Sequence, residues 1–150
     1  MSRIDVAYGA EHRVKQACQT VYKHFLAGRQ IIVYCSDSKR LDAFSKALWS
    51  VEATAFVPHP HLGEGGVLSS LVYLCRELSE QHIAQWEEGR KPWLLNLDVL
   101  CPPFVEHFER VLEIISAHPE DRRLARERMA IYKQGGHQIA YHDLTPQTAV

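Results

Sequence analysis

Four residues near the C-terminus, Arg122, Arg126, Met129 and Lys133, are separated by four, three and four positions. At 3.6 residues per turn that spacing gathers them on one helical face. Three cations around a polarisable thioether suit an acidic, partly apolar peptide: arginine pairs bidentately with carboxylates, and methionine offers adaptable apolar contact. Without a partner, the same stripe is a solvated basic face. Trp49 and Phe56 are a second candidate, one at the end of an expected helix and one just before a Pro-rich loop. Large aromatics are most often core, but at element ends they can serve as binding anchors.

Other chemistries find less support. His59-Pro60-His61 has the look of a metal-ligand pair, yet only Glu64 joins it locally, and a site needs three or four converging ligands; no metal is expected. The first strand–helix turn, Tyr8-Gly9-Ala10-Glu11-His12, carries a single glycine, and neither GxGxxG nor GxxxxGK[ST] occurs. Gly63-Glu64-Gly65-Gly66 follows a Pro-His loop and has no lysine after it, so it reads as a loop. No GxSxG elbow is present. Neither a catalytic residue nor a cofactor is therefore assigned. Cys18, Cys35, Cys75 and Cys101 form no CxxC pair and suit a reducing cytosol, where they act as small hydrophobes.

The elements that must position these residues follow from periodicity. Residues 3–8, 30–35, 93–97 and 137–144 read as strands, and 69–75 as either a strand or a helix start. Val14 to Phe25 recur at helical spacing up to Gly28. Ser36 or Asp37 can cap a helix carrying Leu41, Phe44 and Leu48. Residues 77–90 suggest a short amphipathic helix. Pro102-Pro103 is expected to open a helix through Phe104, Val105, Phe108, Val111, Leu112 and Ile115. A last helix is expected from Pro119 to Gln134, with Leu124 and Ile131 as core anchors and Met129 facing outward. The strand–helix alternation predicts one Rossmann-like α/β domain over 1–144, mostly parallel, with 145–150 a flexible tail.

Composition sets the outer limits. The 150 residues, 46% apolar and 23% charged, fit one globular domain. Lys and Arg (17) nearly balance Asp and Glu (18), giving a net charge of -1. That balance argues against a surface that grips nucleic acid throughout. With no long apolar run and no secretory signal, a cytoplasmic protein is expected.

Four segments together carry a family likeness: ALWS (47–50), AFVPH (55–59), WLLNL (93–97) with PPFVEHFERVLEII (102–115), and LARERMAIYKQGGHQIAYHDL (124–144). In these the chain resembles the chi subunit family of bacterial DNA polymerase III. The resemblance implies a Rossmann-like fold without nucleotide catalysis and a heterodimer with the psi subunit, which tethers chi to the clamp loader. It also implies docking of the acidic C-terminal tail of single-stranded DNA-binding protein. A helicase-like repair protein is implied as an exclusive partner through the psi-binding surface. Arg126 matches the family arginine that pairs with the tail, and Arg122 a basic position one turn earlier. Met129 and Ala130 stand where relatives have an aromatic and a lysine, and Lys133 can restore the charge one turn on. Trp49 and Phe56 match aromatics of the psi-facing surface. The alternative is a nucleotide-binding or hydrolytic enzyme on the same fold. A third reading, single-stranded DNA on the Arg122–Lys133 face, lacks adjacent stacking aromatics, since Tyr132 is expected on the core side.

Overall fold

Short apolar runs, several rich in β-branched residues, supply the strands. The computed structural model describes residues 2–51, 56–62, 71–86 and 91–144. Within them, β1 (Arg3–Ala10), β2 (Ile31–Tyr34), β3 (Val72–Cys75), β4 (Trp93–Asn96), β5 (Arg110–Ser116) and β6 (Gln138–Asp143) form one sheet ordered β3-β2-β4-β5-β1-β6. All five neighbouring pairs are parallel. The helices are α1 (Arg13–Leu26), α2 (Ser38–Trp49), α3 (Glu80–Trp86) and α4 (Pro119–Gln134). This is the expected Rossmann-like α/β architecture. The ambiguous 69–75 stretch resolves as β3. The acidic helix is observed as α3, and residues 87–90 of its expected span lie outside the described residues, as does the 145–150 tail.

Alternation along the strands builds two cores. Ile31, Val33, Leu95, Leu112 and Ile114 pack with Ala17, Cys18 and Val21 of α1 and with Leu41, Phe44 and Leu48 of α2. Ile4, Val6, Ile32, Leu94 and Val111 face the other way, toward Ile83 of α3 and Met129 and Tyr132 of α4. Burial pushes the Cys18 thiol up to about 12 and those of Cys75 and Cys101 to about 11, so these sulfurs stay protonated and apolar.

One expected element is wrong. In place of a helix over 104–115, the chain makes a single 3-10 turn at Val105–His107 and then strand β5. The apolar positions of RVLEIIS fit both periods, because a parallel strand is covered on both faces and loses its alternation. Glu113, which a helix would have turned to solvent, is 1% exposed inside the sheet.

Gly9 serves geometry rather than phosphate. β1 bulges between Tyr8 and Ala10, and Gly9 holds φ at 83° there.

The crossover direction reverses between β2 and β4, the position where open α/β sheets receive ligands at their carboxyl ends. Here Asp98 ties the two loops together. One carboxylate oxygen accepts the Ser36 amide at 3.0 Å and the other the Val99 amide at 2.7 Å, while Arg40 donates to the Leu97 carbonyl at 3.0 Å. Asp37 caps α2 by accepting the Lys39 amide at 3.0 Å. Burial would raise the Asp98 carboxyl, but hydrogen bonds from Ser36, Val99 and Leu100 outweigh it and hold the group below its ordinary 3.8. A depressed carboxyl stabilises the fold when ionised; the contribution is complete above the unfolded value and fades as pH falls through the folded one. The urea midpoint of wild type should therefore exceed that of Asp98→Asn at neutral pH, with the gap narrowing as pH drops below about 4. A pH-independent gap would contradict this account.

Candidate functional site

The expected cationic stripe lines a groove of about 530 Å³. Arg122, Arg126 and Lys133 are exposed, and among the described residues none has an acidic partner. Arg123 differs: it bridges Glu120 at 2.5 Å and Glu127 at 3.2 Å along its own helix, so its charge is already spent. The groove's apolar wall comes from Ala125, Met129 and Ala130 of α4, Ile115 of β5, and Tyr8 and Tyr141 on β1 and β6. The two tyrosines meet edge to face at 6.4 Å and are 39% and 51% exposed.

Two expectations about α4 need correction. Ile131 is 54% exposed and Leu124 only half-buried, so neither anchors the helix. Met129 is 6% exposed; it belongs to the core and offers the groove only its edge. The true anchors are Ala125, Arg128, Met129 and Tyr132. Apolar periodicity misled because the largest inward side chain is an arginine.

Arg128 turns inward because Glu113 is there. Its Nε and Nη2 donate to the two Glu113 oxygens, both at 3.1 Å, and Nη1 donates to the Val99 carbonyl at 3.2 Å. Tyr132 donates its hydroxyl to Glu113 at 2.7 Å, and Asn96 its amide at 2.8 Å. Arg13 of α1 approaches the same carboxylate at 3.6 Å and caps the carbonyls of Ile114, Asn96 and Asp98 at 3.0–3.1 Å. Burial works against both arginine charges. For Arg128, Glu113 outweighs it and the guanidinium is held above its ordinary value; Arg13, where burial wins, lies below. Burial and then Glu113 push the Tyr132 hydroxyl strongly up, which keeps it a donor. The network clamps α4 to the sheet and so fixes where the exposed cations stand.

Trp49 and Phe56 lie together at the far end of the sheet, with ring centroids 5.3 Å apart and exposures of 47% and 69%. His59 supports them. Its ring centroid lies 4.6 Å from that of Trp49 at a tilt of 48°, its Nδ1 donates to the Val57 carbonyl at 2.7 Å, and its Nε2 meets Ser45 Oγ at 2.8 Å. Both ring nitrogens are thus engaged within the protein. Among the described residues no group of three or more His, Cys, Asp or Glu could hold an ion, and Glu64 lies outside them. The aromatic patch is exposed rather than core.

Sequence reasoning missed Tyr8, Ile115 and Tyr141. They become neighbours of α4 only through the parallel β1–β6 and β1–β5 pairings, which no local pattern announces.

The fold is thus a Rossmann-like parallel sheet that carries a basic-apolar groove along α4 and an exposed aromatic patch at the end of α2. Comparison with known proteins gives the family. The family model described as DNA polymerase III chi subunit, HolC, matches residues 1–140, and the chain belongs to that family. It is 28% identical over 132 residues to DNA polymerase III subunit chi of Pseudomonas aeruginosa, covering 88% of this chain and 87% of that one. It is 25% identical over 119 residues to the Escherichia coli K12 subunit chi, covering 79% and 77% respectively. The protein is accordingly an accessory subunit of DNA replication. No described helix is long and apolar enough to cross a membrane.

Proposed function

We propose that this chain is a non-catalytic adaptor that joins the clamp loader, through psi, to the acidic C-terminal tail of single-stranded DNA-binding protein. The observation that carries the reading is the pairing state of α4: Arg122, Arg126 and Lys133 are left free around an apolar wall, while Arg123 and Arg128 are neutralised. A tail that ends in an apolar residue and a free carboxylate meets both needs, side chain against Met129 and Tyr141, carboxylates against the cations. Such a disordered segment is ordered on binding, so the contact is modest and salt-sensitive. Contact with DNA is then chiefly indirect. The Trp49–Phe56–His59 patch is the surface for psi, and by the same aromatics for an exclusive helicase-like repair partner. The sequence offers an enzymatic reading no phosphate loop, and Asp98 already engages the Ser36 and Val99 amides at the switch point.

Calorimetry tests the two surfaces separately. A synthetic acidic peptide ending in an apolar residue should bind with micromolar affinity, and amidating its C-terminus should weaken it. Trp49→Ala should abolish co-purification with psi yet leave peptide binding unchanged. Failure of the unmodified peptide to bind would remove the tail assignment, and intact psi capture by Trp49→Ala would remove the other.

A further inference from the structure

The opposite face of the same three strands carries a second groove, of about 560 Å³. A six-stranded sheet is roughly 24 Å wide at about 4.8 Å per strand, and two helices of about 10 Å each cover most of it. On this face α2 and α1 pack over the β3 to β5 part, and no described helix lies over β1 and β6. A parallel sheet is normally covered on both faces. The gap has an apolar floor of Ala7, Leu112, Ile114 and Leu144, and a polar wall along α1 ending in Lys23.

Its rim is cationic and built. Asp5, 8% exposed, accepts hydrogen bonds on Oδ1 from Arg3 Nε at 3.2 Å and His142 Nε2 at 3.3 Å, and its Oδ2 lies 2.6 Å from Arg110 Nε as an ion pair outside hydrogen-bond geometry. Each arginine meets the carboxylate through Nε, so its two terminal amino groups find no acceptor among the described residues. Arg110 is propped from its other side: its guanidinium lies 4.4 Å from the centre of the Trp93 ring, over which Arg29 also stacks at 4.3 Å. Burial first, and then the charges of Lys23, Arg29 and Arg110, hold His24 below its ordinary 6.5, the mark of a region already crowded with positive charge. Arg3, Lys23 and Arg110 thus line the groove, with Arg29 beside it over Trp93, and of these cations Arg3 and Arg110 share one carboxylate, Asp5.

We propose that this groove receives an acidic amphipathic helix of a partner protein, its apolar stripe on Ala7 and Leu144 above the buried Leu112 and its carboxylates on Arg3, Lys23 and Arg110. The site lies on the sheet face, so an added strand would find no backbone ladder there, whereas a helix supplies both stripe and flanking acids. Nucleic acid is disfavoured because the one large aromatic at the rim, Trp93, already has two guanidiniums over its ring and offers no platform for a base. The surface is separate from both proposed above.

Isotope-labelled full-length protein should be titrated by NMR with a helical peptide of about four turns that carries a leucine stripe flanked by glutamates. Amide shifts are expected at Arg3, Ala7, Lys23, Arg110 and Leu144, and Lys23→Glu with Arg3→Gln should weaken binding at least tenfold. The acidic tail peptide, titrated in parallel, should move α4 residues and ignore that double variant, so failure of either assignment is read independently. Equal binding by a peptide with lysines in place of the glutamates would overturn the proposal. So would shifts confined to α4 or to Trp49, displacement of the peptide from these residues by oligothymidine, or a self-association that Lys23→Glu abolishes.

Discussion

Glu113→Ala is expected to lower unfolding free energy by about 3–5 kcal/mol, the scale for breaking a buried ion pair from one side. The magnitude comes from what is left behind. Arg128, 1% exposed, would lose both carboxylate acceptors, and Tyr132 and Asn96 would each lose one. Arg13, 9% exposed, would lose its nearest counter-charge and keep only Asp121 at 3.9 Å. The Coulomb gain of the pair in isolation matters less, because burying both charges costs a comparable amount. That asymmetry gives a second expectation: Glu113→Leu combined with Arg128→Met should recover part of the loss, since Arg128 is no longer stranded while Arg13, Tyr132 and Asn96 still lack the carboxylate. Urea unfolding of the two variants decides it. A loss below about 1 kcal/mol for Glu113→Ala would mean that water replaces the carboxylate and that the network is not dry.

The network has a functional reach. α4 carries its recognition cations on one side and its buried arginine on the other, so Glu113 sets the rotation of the helix and thereby aims Arg122, Arg126 and Lys133. A Glu113→Gln variant that still folds should bind the acidic peptide more weakly although residue 113 lies outside contact range of it.

What could be read in the sequence follows from which signals are local. The α4 boundaries were legible because His118-Pro119 and Gly135-Gly136 mark both ends, and the observed helix is Pro119–Gln134. The spacing of Arg122, Arg126, Met129 and Lys133 likewise needed only helix geometry, and the four do line one groove. The 104–115 segment failed because both faces of β5 are covered, so its near-continuous apolar run fits a helix as well as a strand. Helix geometry puts Arg128 opposite the cationic stripe, but not its role as an anchor, and Glu113 alone resembles a surface residue; only the pairing of α4 with β5 makes burial of either tolerable. Tyr8 and Tyr141, which complete the groove, depend on strand order, a long-range property. Trp49 and Phe56 presented the reverse case, where composition favoured core and position at an element end correctly favoured surface.

Arg126→Ala should weaken binding of the acidic tail peptide by about 1–3 kcal/mol, roughly 5- to 150-fold, the range for charge-assisted hydrogen bonds. An isolated exposed ion pair would contribute no more than about 1 kcal/mol. The larger figure is expected because the groove supplies a wall that excludes water: Met129, Ala130 and Tyr141 stand beside the guanidinium, and no protein carboxylate competes for it among the described residues. The test has an internal control. Arg123→Ala removes a charge on the same helix, but that charge is held by Glu120 and Glu127, so peptide affinity should stay within about twofold. If electrostatic attraction by the helix as a whole drove binding, the two variants would weaken it alike. If the paired and unpaired arginines differ as their contacts demand, recognition resides in the groove. Tyr141→Ala then separates the two halves of the ligand, since it should weaken the unmodified peptide while leaving a peptide without the apolar terminal residue unaffected. Raising salt should compress the effect of Arg126→Ala and leave that of Tyr141→Ala in place, because screening acts on the charge and not on the buried apolar contact.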